Sequence, residues 1–214
     1  MSAASSAASG TGKATNSDSY FSLHQRVLSE LPHSVVESVA KKLSEAYESG
    51  RSVFIFGNGG SAALASHFAC DLGKGTAGLG NPKQRFKAVS LTDNMPLLTA
   101  WANDTSYHQV FAEQLRNLVQ ASDIVFAISA SGNSPNVLLG LEAGREAGAF
   151  NIGIAGFDGG KMRALCDLCI VIPSDHMQIV EDFQLSVSHA LFVMVCHNIQ
   201  APTANALSMT AGAA

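Results

Sequence analysis

At 214 residues, 47% of them apolar and only 14% charged, the chain has the length to bury a substantial core and suits one globular domain. A formal net charge of −4 without any block of Lys or Arg excludes a general nucleic-acid grip, which depends on clustered cations neutralising phosphates. So lean a charge count also points to surface buried between subunits.

Residues 1–16 are mostly Ala, Ser, Gly and Thr and lack the apolar centre of a signal peptide. They read as a disordered tail and the chain as cytoplasmic. Between residues 20 and 48 apolar side chains recur at helical spacing (Phe21, Leu28, Leu31, Val35, Val36, Val39, Leu43 and Ala46). Pro32 interrupts them, predicting two helices or one bent helix, and Gly50 ends the run. Five short apolar runs suited to doubly buried strands follow at 52–56, 86–91, 124–128, 151–155 and 168–172. Segments of helical character lie between them, including 62–72, 108–119 and 134–147, and a last helix is expected over 177–199. This alternation predicts an α/β fold, a three-layer αβα sandwich around a five-stranded parallel sheet. The folded domain is expected over 17–200, with 201–214 as a flexible tail. The longest apolar run, 187–196, is broken by Ser188 and His189 and is too short to cross a bilayer, so no membrane is expected.

Four cysteines, Cys70, Cys166, Cys169 and Cys196, form no secreted disulfide pattern. Cys166 and Cys169 have C-x-x-C spacing, but no second pair completes a structural zinc site, and core filling is the better reading.

Ligands of parallel α/β sheets sit at the carboxyl ends of the strands. The first strand ends in Gly57-Asn-Gly-Gly-Ser61 at a helix start. The glycines allow close main-chain approach and the helix offers unpaired N–H groups. A tight connection alone would use the same residues, and the spacing is neither a dinucleotide nor a Walker fingerprint. The third strand ends in Ser129-Ala-Ser-Gly-Asn-Ser134, also at a helix start. Three hydroxyls there suit a phosphate dianion, whereas N-capping needs only one such residue. Neither loop contains a cation, so neutral donors and helix dipoles would hold the ligand.

For chemistry, His67 and Asp71 are four apart and share a helix face. Glu181, Asp182 and His189 form a second group on the last helix. Two histidines and two carboxylates are plausible zinc ligands, although a His–Asp helix pair and solvated acids would look the same. Helical spacing slightly prefers Asp182 over Glu181 as partner of His189.

The motifs Gly57-Asn-Gly-Gly-Ser-Ala with His67-Phe-Ala, Ala102-Asn-Asp104, Ser129-Ala-Ser-Gly-Asn-Ser-Pro-Asn136 and Asp158-Gly-Gly-Lys-Met162, in this order, resemble the phosphoheptose isomerases of the sugar isomerase (SIS) fold. The likeness covers roughly residues 20 to 199. It implies a homotetramer joined through the N-terminal helices that converts sedoheptulose 7-phosphate into a heptose 7-phosphate. It further implies a sugar site at Asn58, Gly59, Gly60 and Ser61 with Asn103 and Asp104 nearby, and a phosphate site at Ser129, Ala130, Ser131 and Ser134. Zinc would be held by His67, Asp71, Glu181 and His189, with Glu181 also at the substrate. Asp71 would be the base and His189 the acid or a ligand. The family also contains a non-catalytic replication-initiation regulator (DiaA-like), so a phosphosugar-binding or docking module is the alternative. The chain departs from the pattern at Asp71 (usually Glu), Glu181 (usually Gln), Ala130 (usually Thr) and Gly75, where the family has Arg.

Overall fold

Pro32 divides the N-terminal helical run in two. Helix α1 (Ser17–Glu30) opens with a capping box in which the Ser19 N–H donates to Asn16 Oδ1 at 2.9 Å and the Asn16 N–H donates back to Ser19 Oγ at 3.1 Å. Leu31 is extended at ψ 139, as a residue before proline must be, and α2 (His33–Glu48) follows. The computed structural model describes residues 14–81 and 83–200. The tails expected at either end fall outside them, apart from residues 14–16, which lead into α1.

Five parallel strands, β1 (Ser52–Gly57), β2 (Lys87–Ser90), β3 (Ile124–Ser129), β4 (Phe150–Ala155) and β5 (Leu168–Val171), form one sheet in the order β2-β1-β3-β4-β5. Alternate residues of β1 enter different cores. Val53 and Ile55 join the first and Phe54 and Phe56 the second, as the period of two requires. The first core is closed by α1, α2, α3 (Gly60–Cys70) and α7 (Met177–Gln200). The second is closed by α5 (Ala112–Leu118) and α6 (Pro135–Glu146), with Leu98 and Trp101 of α4 (Met95–Asp104) packed against it. The result is the three-layer α/β sandwich.

Three elements differ from the sequence reading. Helix α4 was not expected, although Asn94 capping the Leu97 N–H at 3.1 Å and Pro96 in the first turn are its start signals. The helix expected over 108–119 splits into a 3-10 turn (Tyr107–Gln109) and α5. Helix α3 widens at its end into one π-turn (Asp71–Gly75). A side chain at Gly75 would meet the Phe192 ring at 2.5 Å, so α7 occupies the space that the family's Arg would need.

Helix α7 agrees with the helix expected over 177–199 to within one residue. By length and composition its 24 residues could cross a membrane. Here Ile179, Val180, Phe183, Val187, Leu191 and Val195 form a stripe buried in the first core.

The strand order reverses between β1 and β3, and the helices that follow these strands pack on opposite faces. A crevice therefore opens at the carboxyl ends of β1 and β3, where ligands of doubly wound sheets bind.

Candidate active site

Both glycine-containing loops lie at this crevice. Gly57 permits the turn after β1, because a Cβ there would stand 2.5 Å from the Ile128 carbonyl oxygen. Asn58 then faces the start of α6. Its Nδ2 donates to Asn136 Oδ1 at 2.9 Å, and Asn136 Nδ2 donates back to Asn58 Oδ1 at 2.8 Å. The Tyr107 hydroxyl also donates to Asn58 Oδ1, at 2.9 Å. Asn136 and Tyr107 were given no role from sequence. Asn136 stands inside a quoted motif, whereas no local pattern marks Tyr107.

In the loop after β3, Ser129 and Ala130 are buried and Ser131 and Ser134 are half-buried. Ser134 is the N-cap of α6 by position, yet its side chain makes no capping bond. The Ser131 hydroxyl accepts the Asn133 N–H at 3.3 Å and keeps its own proton to donate. Behind this loop packs the Asp158-Gly-Gly-Lys-Met segment. The Met162 N–H donates to the Gly132 carbonyl at 2.9 Å, and the Lys161 N–H donates to Asn133 Oδ1 at 3.1 Å. Gly160 has φ +54, and a Cβ there would lie 2.6 Å from both Asn133 Nδ2 and the Ser131 carbonyl oxygen. The fourth motif is thus the brace of the third.

The histidines converge. His67 on α3 and His189 on α7 approach Nε2 to Nε2 at 3.2 Å. Asp71 Oδ2 lies 3.4 Å from His67 Nε2 and 3.9 Å from His189 Nε2. Both imidazoles are about half exposed and Asp71 is one quarter exposed. Tetrahedral zinc with N and O ligands at about 2.0–2.1 Å sets ligand atoms about 3.3–3.4 Å apart. Two of the three separations fit that geometry, and Asp71 Oδ2 would have to close on His189 Nε2 by about half an ångström for the third to do so. Cys196 stays out of this set. Burial and the Asp71 charge push its thiol pKa up, against the thiolate a metal would need.

Within one chain Glu181 does not join the cluster. Helices α3 and α7 lie side by side, with His189 against His67 and Glu181 against Gly60, two turns nearer the loops. A Cβ on Gly60 would stand 3.0 Å from Glu181 Oε1, so the carboxylate sits by the positive start of α3. Nor does Asp182 pair with His189. Its Oδ2 accepts from the Tyr20 hydroxyl at 2.5 Å and lies 3.0 Å from His24 Nε2. That bond, then burial, then the Asp182 charge raise the Tyr20 pKa to about 12.

Ser61 is turned from the crevice, with its buried hydroxyl 3.4 Å from Gln184 Oε1 of α7. Asn103 and Asp104 are exposed at the end of α4 and bonded to one another at 2.8 Å, three to four residues before Tyr107. Cys166 and Cys169 pack against the second core. Their mutual hydrogen bond, with burial, pushes the Cys166 thiol pKa up.

Comparison with known proteins agrees with this architecture. The SIS domain family matches residues 19–156. The phosphoheptose isomerase of Pelobacter propionicus is 37% identical over 161 residues, covering 75% of this chain and 84% of that protein. That of Trichlorobacter lovleyi is 37% identical over 172 residues, covering 80% and 86%. Among solved structures, a phosphoheptose isomerase from Neisseria gonorrhoeae superposes with a TM-score of 0.75 at 29% identity, covering 83% of this chain and 95% of that one.

Proposed function

We propose that this chain, which belongs to the phosphoheptose isomerases of the SIS domain family, interconverts sedoheptulose 7-phosphate and D-glycero-D-manno-heptose 7-phosphate. The observation that carries this reading is the meeting of His67, Asp71 and His189 in a chain whose strand ends also present a hydroxyl-lined helix start. The names of its relatives support a phosphorylated heptose as one partner of the reaction, and sedoheptulose 7-phosphate is the corresponding ketose.

In this reading the phosphate lies at the start of α6. Ser131 and Ser134 donate their hydroxyl protons to its oxygens, and the helix dipole favours its charge. Asn58 contacts the sugar. Pro135 lacks an N–H, so the side-chain hydroxyls carry more of the binding than in a helix start with a full set of amides.

Ketose and aldose interconvert when a proton leaves the carbon beside the carbonyl, giving an enediol, and returns to the other carbon while the oxygens exchange theirs. Asp71 presents Oδ2 to the histidines and keeps Oδ1 for the carbon-bound proton. His189 serves the oxygens through the ring nitrogen not facing the cluster. Zinc held by His67, Asp71 and His189 would supply Lewis-acid polarisation of the carbonyl. For both Nε2 atoms to offer lone pairs, the ring protons must sit on Nδ1.

His67 lies seven residues past Gly60, about 10 Å along α3. Gly60, His67 and Glu181 nevertheless line one pocket of a single chain, and the family pattern adds a homo-oligomer, a tetramer, in which neighbouring copies complete the site. Phe21 and Leu28, 59% and 57% exposed on α1, give such an assembly apolar surface. Phosphorylated sugars do not cross bilayers unaided, which places the enzyme in the cytoplasm with its substrate.

Incubation with ketose phosphates of five, six and seven carbons, followed for aldose formation, tests the proposal. Turnover should be greatest with the seven-carbon substrate. Binding without turnover of any of them would instead indicate a phosphosugar-binding module.

A further inference from the structure

The bonds around Asn58 leave it one thing to offer. Its Oδ1 accepts from Asn136 Nδ2 at 2.8 Å and from the Tyr107 hydroxyl at 2.9 Å, which uses both lone pairs. One Nδ2 hydrogen goes to Asn136 Oδ1 at 2.9 Å. A single N–H remains free. Asn58 can therefore meet a ligand only as a donor, and its partner must be an acceptor such as a hydroxyl or carbonyl oxygen.

Tyr107 is what makes that outcome one-sided. A reciprocal amide pair is symmetric: turning both amides over keeps both bonds and would present an oxygen in place of the N–H. Asn136, 2% exposed, holds the inner side of the pair. The Tyr107 hydroxyl is a stronger donor than acceptor, because its lone pair is drawn into the ring, so its bond favours the orientation that turns the Asn58 oxygen towards it. Its ring is 53% exposed and reaches Asn58 from the turn after α4, so it also ties that segment to the loop after β1.

We propose that Tyr107 is a positioning residue of the sugar site, fixing Asn58 as hydrogen-bond donor to an oxygen of the phosphosugar; this rests on the function proposed above. Loss of its hydroxyl frees the amide pair to turn, so bound sugar meets a donor in only part of the population. The effect falls on ground state and transition state alike, and so on KM more than on kcat.

The test is a double-mutant cycle of Tyr107→Phe and Asn58→Ala in the full chain. It is read by calorimetric Kd for sedoheptulose 7-phosphate, by KM and kcat, and by thermal midpoint. Tyr107→Phe should raise Kd and KM about fivefold to tenfold, as loss of roughly one hydrogen bond implies, with a smaller change in kcat. In the Asn58→Ala background the same substitution should change Kd less than about twofold, the mark of an effect passing through Asn58. Equal effects in both backgrounds, or a lowered midpoint with unchanged Kd, overturn the proposal and leave Tyr107 a structural residue. No binding by the wild-type chain removes the functional reading and this proposal with it. Wild-type binding with an unaffected Tyr107→Phe removes this proposal alone.

Discussion

His67 and His189 are 122 residues apart in the chain and meet Nε2 to Nε2 at 3.2 Å. Two ring nitrogens this close can face each other only across a shared hydrogen or a cation. A carboxylate beside them, Asp71 Oδ2 at 3.4 Å and 3.9 Å, completes a donor set that could hold a cation. The meeting depends on α3 and α7 running in the same direction from the carboxyl ends of β1 and β5, so that each residue step on one has a neighbour on the other.

Metal binding follows first. Dialysed wild-type protein titrated with zinc should gain thermal stability, because an ion that binds only the folded chain stabilises it by about 2.7 kcal/mol at a hundred times Kd. For a domain of this size that is about 5–10 °C. His189→Ala should lose most of the gain while folding normally, since His189 is exposed. A gain undiminished in His189→Ala places the ion elsewhere.

Asp71→Asn keeps the shape of the side chain and removes its basicity. Turnover should fall about 10²- to 10⁴-fold, the usual contribution of a positioned base. The Kd for sedoheptulose 7-phosphate should stay within about threefold, since the proposed phosphate site is at α6, on another element. Retained turnover would transfer the base role to another group.

The sheet, both loops and the histidines were legible because each is announced locally, by an apolar run, by glycines at its end, or by residue type on a helix. What a side chain faces was not. Ser61 and Ser134 both stand at helix starts, yet Ser61 turns to Gln184 while Ser134 leaves its hydroxyl free. Spacing on α7 favoured Asp182 for His189, but Tyr20 and His24 of α1 hold Asp182. Glu181 faces Gly60 because α3 lies beside it, a neighbour no pattern within α7 reveals. Tyr107 is found only by folding the chain.

The phosphate loop should separate binding from bracing. Ser131→Ala and Ser134→Ala each remove a donor to a dianion and should raise Kd about tenfold or more, with the melting temperature little changed. Gly160→Ala acts from behind. At φ +54, with a Cβ 2.6 Å from the Ser131 carbonyl oxygen, it must push the loop aside, so both stability and binding should fall. If the two serine variants bind as wild type does, the phosphate lies elsewhere.

The Tyr20–Asp182 bond predicts a particular response to alkali. Tyr20 keeps its proton to about pH 12 in the folded chain, chiefly because that proton is shared with Asp182, whereas an unfolded tyrosine loses it near pH 10. A folded-state pKa above the unfolded value gives stability that is complete below pH 10 and is lost as pH rises through 12. Tyr20→Phe lacks the bond at every pH and should melt lower than wild type, by about 2–4 °C if the bond is worth roughly 1 kcal/mol. The gap should hold steady from pH 7 to 9 and close between about 10 and 12. His24 approaches the same Asp182 oxygen at 3.0 Å, so a His24→Ala background shows how much of the gap belongs to tyrosine alone. A gap that persists unchanged at pH 12 would mean that something other than the shared proton accounts for the hydroxyl's contribution.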